Sequence, residues 1–141
     1  MARADELVDR LRTVPLFQGL REKELRSVAA RMRQVEHASG AEILEEGGSA
    51  AGFHLILDGR AAVAVHGRPR RTLGPGEVFG EMSLIDGRPR SASVTADGPL
   101  RTASLSAWEF EPLLDEHPEI ARALLRVLAD RLRGAEADGV G

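Results

Sequence analysis

The sequence predicts a mainly β fold with flanking helices. The expected core is an antiparallel β-roll of the double-stranded β-helix or jelly-roll kind, with N-terminal helices before it and two C-terminal helices after it. Three observations carry this expectation. Apolar residues are spaced as in helices up to residue 32, as in strands over 34–105, and as in helices again from 106. Within 34–105 the apolar runs are short, and turn signals rich in glycine interrupt them repeatedly. The last helical stretch is apolar around more of its circumference than one contact surface requires.

Residues 4–12 place Leu7, Val8 and Leu11 on the stripe of a short amphipathic helix that Pro15 closes. A compact turn over 16–20 leads to a second helix over 21–32, with Leu25, Val28, Ala29 and Met32 on one face. Strand-like runs follow at Val35, 43–44, 53–57, 61–65, 71–73, 94–95 and 100–105. Turn signals separate them at 39–40, 47–49, Asp58-Gly59, His66-Gly67, 74–76 and 97–99, and Asp58-Gly59 gives the clearest hairpin signal. Ser106 suits an N-cap, and Glu109 three residues on completes a capping box. Pro112 predicts that this helix is shortened or kinked.

Pro118 suits the first turn of the last helix, which is expected to end near Arg133. Its apolar positions cover roughly 240° at 100° per residue, where about 100° would serve one contact. Ala121, Leu125, Leu128 and Leu132 recur at the spacing of a short coiled-coil seam, so a homodimer through this helix is an expected use of the surplus. Gly134 reads as a helix stop and 134–141 as a flexible tail. Residues 1–133 then form one domain, with helices in 4–32, the roll in 34–105 and helices in 106–133.

Composition narrows the function. The 141 residues are enough for a core that needs no staples, and with no cysteine there is neither disulfide nor thiolate metal site. The absence of cysteine, of a signal-peptide pattern and of an apolar run of membrane-spanning length makes the cytoplasm the expected location and a membrane role unexpected. A net charge of −3 and four aromatic phenylalanines with one tryptophan and no tyrosine disfavour nucleic acid as a partner. His37, His54, His66 and His117 stand singly on separate elements, so no metal site is expected. No nucleophile has a base-bearing context either, and the chain reads as a binding protein without catalytic residues or cofactor.

The stretch 79–96 carries the chemistry. Gly80 opens a short turn, and a glycine there lets the backbone approach a ligand while the free amides of the turn favour an anion. Arg90 offers a guanidinium fork to phosphate oxygens. Glu81 is unsuited to a phosphate and suited to accepting hydrogen bonds from sugar hydroxyls. The ligand implied is a phosphorylated sugar. Gly-Arg-Pro-Arg occurs at both 67–70 and 87–90, but only the second copy follows a Gly-Glu turn; the first reads as a solvated hairpin tip.

The order Gly80-Glu81-x-x-Leu84, a loop, then Pro89-Arg90-Ser91-Ala92-Ser93-Val94 resembles the phosphate-binding cassette of the cyclic nucleotide-binding domain family. That family includes the catabolite activator protein and the regulatory subunits of cyclic AMP-dependent kinase. The resemblance implies that Glu81 holds the ribose 2′-hydroxyl and that Arg90, preferred to Arg88, pairs with the cyclic phosphate. It implies a site made of Phe79, Gly80, Glu81, Met82, Ser83, Arg90, Ser91 and Ala92, beneath C-terminal helices that act as a lid. Arg131 and Arg133 are the candidates to cap the base; the positions that carry hydroxyls in the transcription-factor branch are Ala135 and Glu136 here. The Arg-Ser-Ala order favours cyclic AMP over cyclic GMP. No helix-turn-helix follows the last helix, so a stand-alone sensor acting on a second copy or an effector protein is expected. The rival expectation is a structural or protein-interaction module of the same fold that binds no nucleotide.

Overall fold

The computed structural model describes residues 3–44, 52–80, 83–86 and 92–140, excepting the side chains of Leu44, Ser83, Asp86 and 137–140. Two compact units are present, one spanning Arg31–Phe110 and one made of Arg3–Ala30 with Glu111–Gly141. The strands are β1 (Arg33–His37), β2 (Glu42–Leu44), β3 (Phe53–Asp58), β4 (Ala61–Val65), β5 (Arg68–Leu73), β6 (Val78–Phe79), β7 (Ser93–Ala96) and β8 (Leu100–Leu105). The helices are α1 (Ala4–Arg12), α2 (Glu22–Arg31), the single-turn α3 (Ser83–Asp86), α4 (Ala107–Glu116) and α5 (Pro118–Val140), with a 3-10 turn at Pro15–Phe17.

The first unit is the β-roll that the sequence predicts. Its strands form two antiparallel sheets, ordered β1-β8-β3-β6 and β2-β7-β4-β5. Of the seven connections between successive strands, only β4–β5 stays within one sheet. The others cross from sheet to sheet, so the two inner faces close on one cluster: Ile56, Ala61, Leu73, Phe79, Val94, Ala96 and Leu100. Each large side chain so buried stabilises the fold by about 1.5–3 kcal/mol relative to exposure. β3 is buried on both faces, since Phe53, Leu55 and Leu57 are as inaccessible as Ile56.

Those crossings correct the reading of Asp58-Gly59. It is not a hairpin: β3 pairs with β6 and β8, while β4 belongs to the other sheet. Gly59 takes a φ of 91° at a corner where a Cβ would stand 2.3 Å from the carbonyl oxygen of Pro99. That corner nests against the β7–β8 corner, and the Asp97 amide donates to the Arg60 carbonyl. Arg101 fastens the same edge, donating to Asp58 from Nε at 3.0 Å and to Gln34 from Nη1 at 3.3 Å, so it links β1, β8 and β3. The true hairpin turn is His66-Gly67, with φ of 52° and 74°, the mirror-image two-residue geometry that suits twisted strands. The sequence reading also passed over β6 and began β5 three residues late, because it gave 67–70 to the hairpin tip; Arg68, Pro69 and Arg70 belong to β5, an edge strand, where proline is tolerated.

The capping box forms as expected. The Ser106 amide donates to Glu109 Oε1 at 3.3 Å and the Glu109 amide to Ser106 Oγ at 3.2 Å. Pro112 neither shortens nor divides α4, which continues to Glu116. The proline is exposed, so water can bond the carbonyl it leaves without a donor.

In the second unit α1 buries Leu7, Val8 and Leu11, the stripe read from the sequence, and α2 buries Leu25, Val28 and Ala29. Glu24, only 7% exposed, accepts the Arg21 amide at 2.8 Å and so closes the first turn of α2. α5 buries Ile120, Ala123 and Leu124 and comes close to the 3-10 turn, where a Cβ on Gly19 would lie 3.4 Å from that of Ala123. The tail expected at 134–141 is not what the structure has, because α5 continues through Gly134 to Val140. Gly134 keeps a negative φ. Its cost of about 1 kcal/mol relative to alanine is modest beside strong helix formers such as Ala135 and Glu136.

Two outcomes follow for stability. Gly59→Ala should cost about 3 kcal/mol or more, since it adds overpacking against a backbone oxygen to a strained φ, whereas Gly67→Ala, with nothing within 4 Å, should cost about 1 kcal/mol. Urea unfolding measures both, and equal costs would contradict the nested corner. His37 sits against fully buried Thr102, with Nε2 3.0 Å from Oγ1, and burial lowers its pKa from the usual value near 6.5. The folded state therefore favours neutral imidazole, and the unfolded chain takes up the proton first. Stability from this group should be complete above about pH 7.5 and fall as pH drops through 6.5. Thermal unfolding from pH 8 to 5 should show that decline, reduced in His37→Gln; an unchanged slope would remove His37 as its source.

Candidate functional site

The stretch singled out by the sequence is the connection from β6 in one sheet to β7 in the other. Phe79 closes β6 at 6% exposure and lies opposite His54 of β3 in the ladder. The two rings stack with centroids 4.8 Å apart and planes 11° from parallel. The stack and the cluster together fix the residue before the turn. Gly80 then takes a φ of 80°, a conformation that a side-chain-bearing residue adopts only at a cost of about 1–2 kcal/mol. The chain continues to α3, which buries Leu84 at 4% exposure and leaves Ile85 at 40%.

At the far end Ala92 is half-buried, and Val94 is 2% exposed within the same cluster as Phe79. Both anchors of the connection thus sit in one piece of core, one on each sheet. Ala41, Ile43 and Val63 pack against that cluster while remaining partly accessible, which gives the roll an apolar inner flank. The sequence reading did not select these three as site residues. Their signal was only strand alternation, which marks an inner face without saying which part of it stays open.

Of the residues expected in the site, Phe79, Gly80 and Ala92 are described and hold the two ends. Glu81, Met82, Arg90 and Ser91 lie outside the described residues, as do Arg88 and the side chain of Ser83. Arg131 and Arg133 belong to the second unit and are exposed on α5. Arg131 lines a cleft of about 240 Å³ with Asp130, Val127, Pro15 and Gln18. Ala135 and Glu136 lie on the same helix, as it does not stop at Gly134. Among the described residues no group of three or more His, Cys, Asp or Glu side chains is placed to hold a metal ion, and no helix is long and apolar enough to cross a membrane.

Comparison with known proteins agrees with this frame. Residues 34–117 match the family model described as cyclic nucleotide-binding domain. The chain is 37% identical over 121 residues to a cyclic nucleotide-gated potassium channel of Rhizobium etli, covering 86% of this chain and 34% of the channel. It is 30% identical over 123 residues to a CRP-like cAMP-activated global transcriptional regulator of Mycobacterium tuberculosis, covering 84% of this chain and 55% of the regulator. It therefore spans about a third to about half of the length of these relatives. Among solved structures, the N-terminal domain of a transcriptional regulator from Streptomyces coelicolor A3(2) superposes with a TM-score of 0.83 at 32% identity, covering 92% of this chain and 94% of that domain.

Proposed function

The chain belongs to the cyclic nucleotide-binding domain family, and from that membership we propose that it is a cyclic nucleotide sensor whose ligand is cyclic AMP in preference to cyclic GMP. The observation that carries the reading is the anchoring of 79–94 at both ends in one core cluster. Fixed ends limit the conformations open to the residues between them, which lowers the entropic cost of bringing Glu81 and Arg90 to one ligand. Arg90 pairs with the singly charged cyclic phosphate, and amides of Gly80, Glu81, Met82 and Ser91 complete the anion site. Glu81 accepts the ribose 2′-hydroxyl. Phe79, Ser83 and Ala92 complete the set, and the apolar flank of Ala41, Ile43 and Val63 suits the faces of a sugar and a purine. The preference for cyclic AMP rests on the Arg90-Ser91-Ala92 order and on the relative described as cAMP-activated.

The bound nucleotide does no chemistry in this reading. It acts by binding one position of the lid helices α4 and α5 more tightly than another, and only that differential affinity can move the equilibrium. Arg131 or Arg133 stacks on the purine in the closed position. The output passes to an effector protein or to a second copy. Leu125 and Leu132, 64% and 61% exposed, form the outer part of the seam with Ala121 and Leu128.

Isothermal titration with both nucleotides tests the ligand. Arg90→Ala should weaken cyclic AMP binding at least ~10-fold, the loss of one charge-assisted contact, and Glu81→Ala should narrow the preference for cyclic AMP over its 2′-deoxy analogue. An Arg90→Ala protein that binds like wild type would sink the assignment. Sedimentation velocity tests the seam: wild type should dimerise in the micromolar range and Leu125→Glu/Leu132→Glu should remain monomeric. A wild-type monomer at 100 μM or so, on the order of the weakest affinities at which a complex would matter, removes the dimer from the proposal.

A further inference from the structure

The first copy of Gly-Arg-Pro-Arg, which the nucleotide site does not use, lies on β5. From Gly59 to Gly76 the chain contains four arginines and no carboxylate, so this segment carries +4 and the rest of the chain −7. Arg68, Arg70 and Arg71 are exposed along the β5 edge, and none of their side chains has a hydrogen bond or ion pair among the described residues. Elsewhere Arg12, Arg26, Arg33 and Arg101 all meet carboxylates. The ladder sets Arg68 opposite Val65 and Arg71 opposite Val63, on one face of the sheet, with Arg70 the extra residue of a bulge. Three like charges so close oppose the fold, and they make no contact that repays it.

Edge protection alone does not account for them. Pro69 removes one donor from the edge and the bulge bends it, and either device already discourages strand addition. The same two features exclude an occupant that would pair with the β5 backbone, and leave the guanidinium groups as the recognition surface. The His66-Gly67 turn fixes how they are presented. We propose that the β4–β5 hairpin is a docking surface for an acidic segment of a partner protein, whose carboxylates pair with Arg68, Arg70 and Arg71. Guanidinium forks match carboxylates bidentately. A duplex or a bilayer is too broad a polyanion for this patch, because it would also meet the −7 remainder of the chain. The turn residues His66 and Gly67 offer no large apolar side chain to a membrane interior.

The test is fluorescence anisotropy of a labelled ten-residue glutamate peptide at low salt, with a labelled single-stranded oligonucleotide and phosphatidylserine vesicles in parallel. Wild type should bind the peptide, and Arg68→Gln/Arg70→Gln/Arg71→Gln should weaken it at least ~10-fold. The control Arg21→Gln/Arg122→Gln/Arg126→Gln changes net charge equally at exposed positions and should alter binding less than ~2-fold. The proposal is overturned by no peptide binding, by equal losses in the two variants, or by tighter arginine-dependent binding of oligonucleotide or vesicles. Cyclic AMP titration of Arg68→Gln/Arg70→Gln, which keeps the Arg71 that lies opposite Val63, should match wild type, so this proposal and the nucleotide reading fail separately.

Discussion

The closing of two sheets on one apolar cluster is the constraint on which the roll depends. Ile56 contributes from the middle of β3, Phe79 from the short β6, and Val94 and Ala96 from β7, so neither sheet has a core without the other. Packed sheets stand about 10 Å apart, and that spacing sets how far 80–92 must reach. A two-residue strand such as β6 has little hydrogen bonding of its own to hold it. Its position comes from burial of Phe79 and from the stack on His54, and the start of the cassette inherits that position. Tight corners make the closure possible. Gly59 lies against Pro99, while the Gly40 amide donates to Ala96 and the Ala96 amide to Ala41, so the β1–β2 corner is tied to the end of β7.

Much of this architecture was legible because short strands leave a strong rhythm. The α1 stripe, the capping box of α4 and the extent of the roll all follow from local chemistry, in which the interacting residues are neighbours in sequence. The misreadings have a common origin in long-range partners. Asp58-Gly59 has the composition of a hairpin, and only the pairing of β3 with β6 and β8 reveals a corner. Pro69 weakens the signal of β5 unless its place at a sheet edge is known. Gly134 resembles a C-cap, but a cap requires the left-handed conformation, and the helix does not adopt it there. The residue types of the site were legible as a motif. Its frame was not, since no local pattern says that Phe79 and Val94 share a cluster across two sheets.

α5 shows how a single chain can leave an element underdetermined. Its 23 residues span roughly 35 Å, but among the described side chains the buried apolar ones, Ile120, Ala123 and Leu124, all lie in the first two turns. From Ala129 to Glu136 every residue is exposed. An isolated helix of that length is marginal in water, because nucleation is costly and each added bond returns little. Sequence propensity alone therefore gives weak support to the second half, where Leu132 and Gly134 sit in solvent. A helix of this composition gains most from a second surface that covers Leu125 and Leu132 together. Whatever covers them also becomes sensitive to where α5 lies. A ligand that favours one position of this helix would change that contact without touching it, which is the simplest route by which a binding domain could transmit a signal.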